Sequence, residues 1–134
     1  MKFTNGFWLL RKEYEPTYAV EYAGHETAGD SLIVYAAAKH ITNRGDCLNI
    51  GMLTVTLTSP MEDVIHVEVT HFDGSAGKPV RPVIYPAPVK VTVREDEETL
   101  TYESGTMRAV ITKTPGSWCI GYYRGDKLLT KTDY

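Results

Sequence analysis

The chain has 134 residues, 43% of them hydrophobic, with 14 Lys and Arg against 17 Asp and Glu for a formal charge of −3. That length holds one domain with a real hydrophobic core and not two comfortable ones. So small a charge imbalance gives no long-range attraction to nucleic acid or to an anionic membrane, and neither is expected as a partner.

The first residues, MKFTNGFWLLRKEYEP, contain four consecutive apolar side chains, Phe7 to Leu10, before Arg11 and Lys12. A secretory leader has an apolar core of about 7–15 residues, and a membrane-spanning helix needs about 20. The expectation is a cytoplasmic chain. Cys47 and Cys119 stand apart without CxxC spacing, so both are expected to be reduced thiols.

Alternation with period 2 dominates the pattern, and no segment carries a sustained helical stripe. Residues 3–10, 18–26, 32–37, 53–59 and 64–72 read as strands in the first half of the chain. Residues 89–95, 100–104, 107–113, 118–124 and 127–131 do so in the second. They are rich in Val, Ile, Thr and Tyr, whose branched or aromatic side chains suit a pleated surface. Turn chemistry separates them: Ala28-Gly29-Asp30, Asn43-Arg44-Gly45-Asp46, Ser59-Pro60, Asp73-Gly74, Ser104-Gly105, Pro115-Gly116 and Gly125-Asp126. About ten short strands at this spacing with little helix predict an all-β, antiparallel β-sandwich.

Three segments need separate treatment. Ala36 to His40 could wind one helical turn, but one turn without tertiary support is unstable and these residues continue the strand Leu32 to Tyr35, so they read as strand end and loop. The stretch Gly77 to Pro88 carries four prolines, which lack backbone donors and exclude a central strand, leaving a long crossing connection. Arg94-Glu95-Asp96-Glu97-Glu98 lacks the alternating oxygen ligands and central glycine of a calcium loop. It reads as a solvated hairpin turn.

The densest cluster of chemistry-bearing side chains is HVEVTHFDG, residues 66–74. In a strand, His66, Glu68 and Thr70 share one face, and Ile65, Val67, Val69 and His71 the other. The two histidines therefore do not converge, and a zinc site, whose ligands meet at about 2 Å from one ion, is not built here. His71 continues an apolar face and is expected to be partly buried against a backbone carbonyl. The sequence contains neither a G-x-S-x-G elbow nor a glycine-rich phosphate loop, and neither cysteine has a neighbour that would lower its pKa. No catalytic residue, metal or cofactor is expected. The residues taken by themselves leave a carbohydrate-binding module, an immunoglobulin-like interaction domain and a piece of something larger all open.

Read in order, GFWLL, DSLIVYAAAKHI, GMLTVTLTSP, VIHVEVTHFDG, VKVTV, TYESGTMRAVITK and WCIGYYRGDKLLT resemble the N-terminal β-sandwich domain of bacterial glycoside hydrolase family 31 enzymes, in the α-xylosidase and α-glucosidase branch. The strand ending in His71-Phe72-Asp73-Gly74, the proline-rich crossing and then Ser104-Gly105-Thr106-Met107 carry most of that likeness. The resemblance implies a galactose-mutarotase-like supersandwich over 1–134, the N-terminal part of a longer glycosidase with a catalytic barrel absent here. It implies a retaining mechanism with two aspartates in that barrel, so none of those residues falls in this chain. The domain would buttress the barrel and shape the rim of its pocket. Trp8, Trp118, Tyr122 and Tyr123 are the aromatic candidates for contacts with the barrel or for stacking on sugar, against core packing as the plainer role. A freestanding carbohydrate-binding module and an oligomerisation module pairing through open sheet edges remain the competing expectations.

Overall fold

A computed structural model describes residues 9–71 and 89–133. Most of the expected strand at 3–10, the Asp73-Gly74 turn and the crossing at 77–88 lie outside them. Strands β1 (Glu21–Ala28), β2 (Ser31–Ala37), β3 (Met52–Thr58) and β4 (His66–Thr70) form one antiparallel sheet in that order. Strands β5 (Val91–Glu95), β6 (Thr99–Ser104), β7 (Met107–Thr112), β8 (Cys119–Arg124) and β9 (Lys127–Asp133) form a second. The fold is an antiparallel β-sandwich, and its helical content among the described residues is a single 3-10 turn, Arg44–Cys47. No described helix is long and apolar enough to cross a membrane.

The core follows from alternation in register. Leu32, Val34 and Ala36 of β2 sit opposite Leu57, Val55 and Leu53 of β3, and all six are buried. From the other sheet, Leu100 and Tyr102 of β6 pair with Ile111 and Ala109 of β7, with Ile120 of β8 beside them. Each large aliphatic side chain buried this way contributes roughly 1.5–3 kcal/mol.

Turn chemistry fixes the registers. Three hairpins close over two residues, Gly29-Asp30, Gly105-Thr106 and Gly125-Asp126, between the pairs Ala28↔Ser31, Ser104↔Met107 and Arg124↔Lys127. Each glycine has φ between 54° and 60° and is followed by a residue with negative φ, the arrangement of type II′ turns, whose twist matches that of the flanking strands. The hairpin turn expected at 94–98 is present, between Glu95 and Thr99: Asp96 accepts from the backbone N–H of Glu98 at 2.8 Å and of Thr99 at 2.7 Å. At the 3-10 turn, the Asn43 side chain accepts from the Gly45 N–H while Asp46 accepts from the Asn43 N–H, a reciprocal capping box.

Polar contacts tie the layers together. The hydroxyl of buried Tyr102 donates to the Asp30 carbonyl at 2.8 Å, linking β6 to the β1–β2 turn. Ser59 and Ser104 share a 2.7 Å hydroxyl contact. Asp63, in the loop before β4, accepts from both the N–H and the hydroxyl of Thr106.

Two expectations are corrected. Pairing in β1 starts at Glu21 and not at Tyr18, because its partner β2 ends at Ala37, opposite Glu21. His71 is exposed, since β4 ends at Thr70 and the ring lies past the sheet, against Gly51. Cys47 and Cys119 are free thiols.

Candidate functional site

Strands β4 and β9, each the last of its sheet among the described residues, lie on the same side of the sandwich, since both line one groove. Between the layers on that side runs an apolar groove of about 300 Å³. Val67 and Val69 of β4 and Leu53 and Val55 of β3 form one wall; Trp118, Ile120 and Tyr122 form the other. Thr17, Tyr18 and Ala19 close one end. Alternation directs Val69 inward, opposite Val55, yet it is 58% exposed. Val69 thus stands at the exposed margin of the groove.

The structure separates the aromatic candidates. Trp118 and Tyr122 share the groove wall, Trp118 only 7% exposed and part of the core cluster, Tyr122 packed against that cluster. Burial raises the Tyr122 phenol above its ordinary pKa, so it is a neutral hydroxyl. Tyr123 points to the opposite face, its ring stacked under the Arg108 guanidinium at 5.3 Å. It folds back over Gly121, where an added Cβ would come within 2.8 Å of the ring. Trp8 lies outside the described residues.

Two polar clusters were not foreseen. Glu21, nearly buried at the head of β1, is bound by the His40 ring and by the Gly116 N–H at 3.1 Å. Its partners stand 19 and 95 residues away, and local pattern carries no trace of them. The second cluster runs from the Tyr22 hydroxyl to His25 Nδ1 at 2.7 Å, and from His25 Nε2 to Glu95 at 3.8 Å. Lys113 Nζ donates to Glu95 at 2.7 Å and to the Asp96 carbonyl at 2.6 Å. The hydrogen bond from Lys113 lowers the Glu95 pKa and in turn raises that of Lys113. Burial raises the Tyr22 phenol, against the opposing Lys113 charge. The Tyr22 hydroxyl, the His25 ring and the Lys113–Glu95 ion pair clasp β1 to the second sheet. Among the described residues, no group of three or more His, Cys, Asp or Glu is placed to hold a metal ion.

No protein-family model matches the chain. Two curated relatives are named alpha-xylosidases. It is 35% identical over 111 residues to alpha-xylosidase XylQ of Lactiplantibacillus pentosus, a match covering 83% of this chain and 14% of that protein. It is 34% identical over 76 residues to an alpha-xylosidase of Emericella nidulans, covering 55% of this chain and 9% of that protein. The chain is thus similar to a small part of much longer enzymes, over most of its own length.

The geometry suits that proportion. The groove offers a packing surface, with Thr17, Thr132 and two tyrosine hydroxyls its main polar features. The clasps around Glu21 and Glu95 are satisfied pairs that hold the layers in register.

Proposed function

We propose that the chain is the non-catalytic N-terminal β-sandwich domain of a family 31 α-glycosidase of the α-xylosidase or α-glucosidase type, built as a galactose-mutarotase-like supersandwich. In the whole enzyme the reaction would be retaining hydrolysis by two aspartates of a separate barrel, and this domain would support the barrel and the rim of its pocket. The observation that carries the reading is the match of 83% of this chain to 14% of an alpha-xylosidase. The groove beside β4, the exposed Leu128 and Leu129 of β9 and the exposed Tyr18 are surfaces on which further chain could pack. Trp118 and Tyr122 would then act as contacts between domains.

The test is a chimera in which this chain replaces the matching segment of the Lactiplantibacillus pentosus enzyme. The chimera is expected to fold and to hydrolyse aryl α-xylosides, while the 134-residue chain by itself gives no turnover above background. Turnover by the isolated chain, or a chimera that is soluble and monodisperse but inactive, would sink the reading.

A freestanding sugar-binding module is favoured by one feature, the Trp118 and Tyr122 pair on the groove wall. Sugar sites combine ring faces with several convergent polar groups, and the few on this wall favour a protein partner. Saturable binding of xylo-oligosaccharides in a calorimetric titration, lost in Tyr122→Ala, would reverse that preference.

A further inference from the structure

A histidine of β1 reaches across to β5 of the other sheet. Tyr22 stands opposite Ala36 and His25 opposite Val34, both of them core residues. Residues opposite each other in an antiparallel pair share a face, so Tyr22 and His25 both point at the second sheet. They do so although Ala23 and Gly24 lie between them, because the register shift before Gly24 takes up Ala23. The imidazole then has a partner on each nitrogen. Its Nε2 faces Oε2 of Glu95 at 3.8 Å, and a carboxylate only accepts, so the ring proton sits on Nε2. That leaves Nδ1 as a lone pair, which accepts from the Tyr22 hydroxyl at 2.7 Å. The approach to Glu95 is longer than the roughly 2.7–3.2 Å of a hydrogen bond, so the neutral ring faces the carboxylate without bonding it.

We propose that His25 is a proton-operated latch between the two sheets: taking up a proton reverses its bond with Tyr22 and draws Nε2 onto Glu95. Protonation fills the Nδ1 lone pair, so Tyr22 turns its hydroxyl and accepts where it had donated. The charge on the ring converts the open approach to Glu95 into a charge-assisted hydrogen bond, which closes to about 2.8 Å. Glu95 has an oxygen for it. Lys113 Nζ sits on Oε1 at 2.7 Å, and Oε2 is the oxygen turned to His25. Among the described residues the titratable groups around the ring are Tyr22 from β1, Glu95 from β5, Asp96 from the turn after it and Lys113 just past β7. Asp96 is occupied, its carbonyl by Lys113 and its carboxylate by the N–H groups of Glu98 and Thr99. The protonated state therefore sets one cation on each oxygen of Glu95 and brings β1 closer to β5. Histidine is the side chain whose charge ordinarily changes between about pH 5 and 8, a range in which Glu95, lowered by Lys113, stays ionised. The latch concerns the chain's own two layers and does not rest on the enzyme reading.

Nuclear magnetic resonance of the isotope-labelled chain tests it. Near about pH 8, long-range imidazole correlations are expected to place the His25 proton on Nε2. As the pH is lowered to about 5, the Tyr22 Cζ and Glu95 Cδ signals are expected to move with the midpoint of His25 itself. A double-mutant cycle of His25→Gln and Glu95→Gln, read as unfolding constants in urea, supplies the energetic half. Because a cycle reports a difference, the loss of the Lys113 pair in Glu95→Gln cancels between its two arms. The His25–Glu95 coupling is expected to be about fivefold near pH 5 and less than about twofold near pH 8. Should Glu95→Gln fail to fold, the wild-type spectra decide the matter. A His25 proton found on Nδ1 near pH 8, Tyr22 and Glu95 signals that stay still while His25 titrates, or a coupling equal at the two pH values would each overturn the proposal.

Discussion

Gly105 shows how much one position can fix. Its φ of +57° lies in the left-handed region, and a Cβ added there would stand 2.5 Å from the Asp63 carboxylate and 2.8 Å from Glu62. The turn needs the glycine twice over, for its backbone and for the Asp63 clamp on Thr106. Gly105→Ala is expected to cost about 1–2 kcal/mol from the left-handed backbone and more from the clash, read as a lowered urea midpoint. Gly29→Ala, where nothing lies within 4 Å of the added Cβ, carries only the backbone part; equal losses at both sites would refute the clamp. Among the aromatics, Trp118 and Tyr122 lie two residues to either side of Ile120 on one alternating face, and Tyr123 is out of phase with them. That separation was legible from the sequence. Whether the Trp118 face was core or outer surface was not, because alternation sorts side chains into sets without saying which set another layer covers.

At the scale of elements, short acidic side chains hold the connections. Asp46 is lowered to about 2, chiefly by the hydrogen bond from the Thr42 hydroxyl and then by that from the Thr42 N–H. The Thr106 N–H and hydroxyl lower Asp63, and the Thr99 hydroxyl and N–H lower Asp96. A carboxylate whose folded pKa lies below its unfolded value, about 3.9 for Asp, stabilises the fold above that value. The contribution is lost as pH falls through the folded pKa. Urea midpoints are therefore expected to hold steady above about pH 5 and to fall between about pH 4 and pH 2. Asp96→Asn keeps a carbonyl acceptor for Glu98 and Thr99 but cannot titrate, and is expected to flatten that fall; an unchanged slope would remove Asp96 from the account. The nine described strands were readable as elements, with ends within about three residues, since period 2 and glycine turns both point to them. The ends of β1 and β4 were not, because pairing stops where a partner strand stops, and that is a property of the sheet.

At the scale of the molecule, each described strand is hydrogen-bonded, among the described residues, only to strands next to it in sequence, β1 to β4 in one sheet and β5 to β9 in the other. What the sequence could not show was how the two layers are clasped. Glu21 to Gly116 and Tyr102 to Asp30 join residues 95 and 72 apart, and no local pattern encodes such distances. The groove was equally invisible, being a fact about how the two layers lie against each other. This arrangement also makes the two sheets topologically independent. Among the described residues, a cut within 72–88 would sever no hydrogen-bonded strand pair and would leave the β1 to β4 and β5 to β9 meanders each with its own ladders. Produced together, the halves are expected to associate through the shared core and to elute as one 1:1 particle, while either half by itself exposes its apolar face and aggregates. Independent, soluble halves with no affinity for each other would contradict the clasped core described above. The chain is in that sense a natural split reporter, with its breakpoint already drawn by the topology.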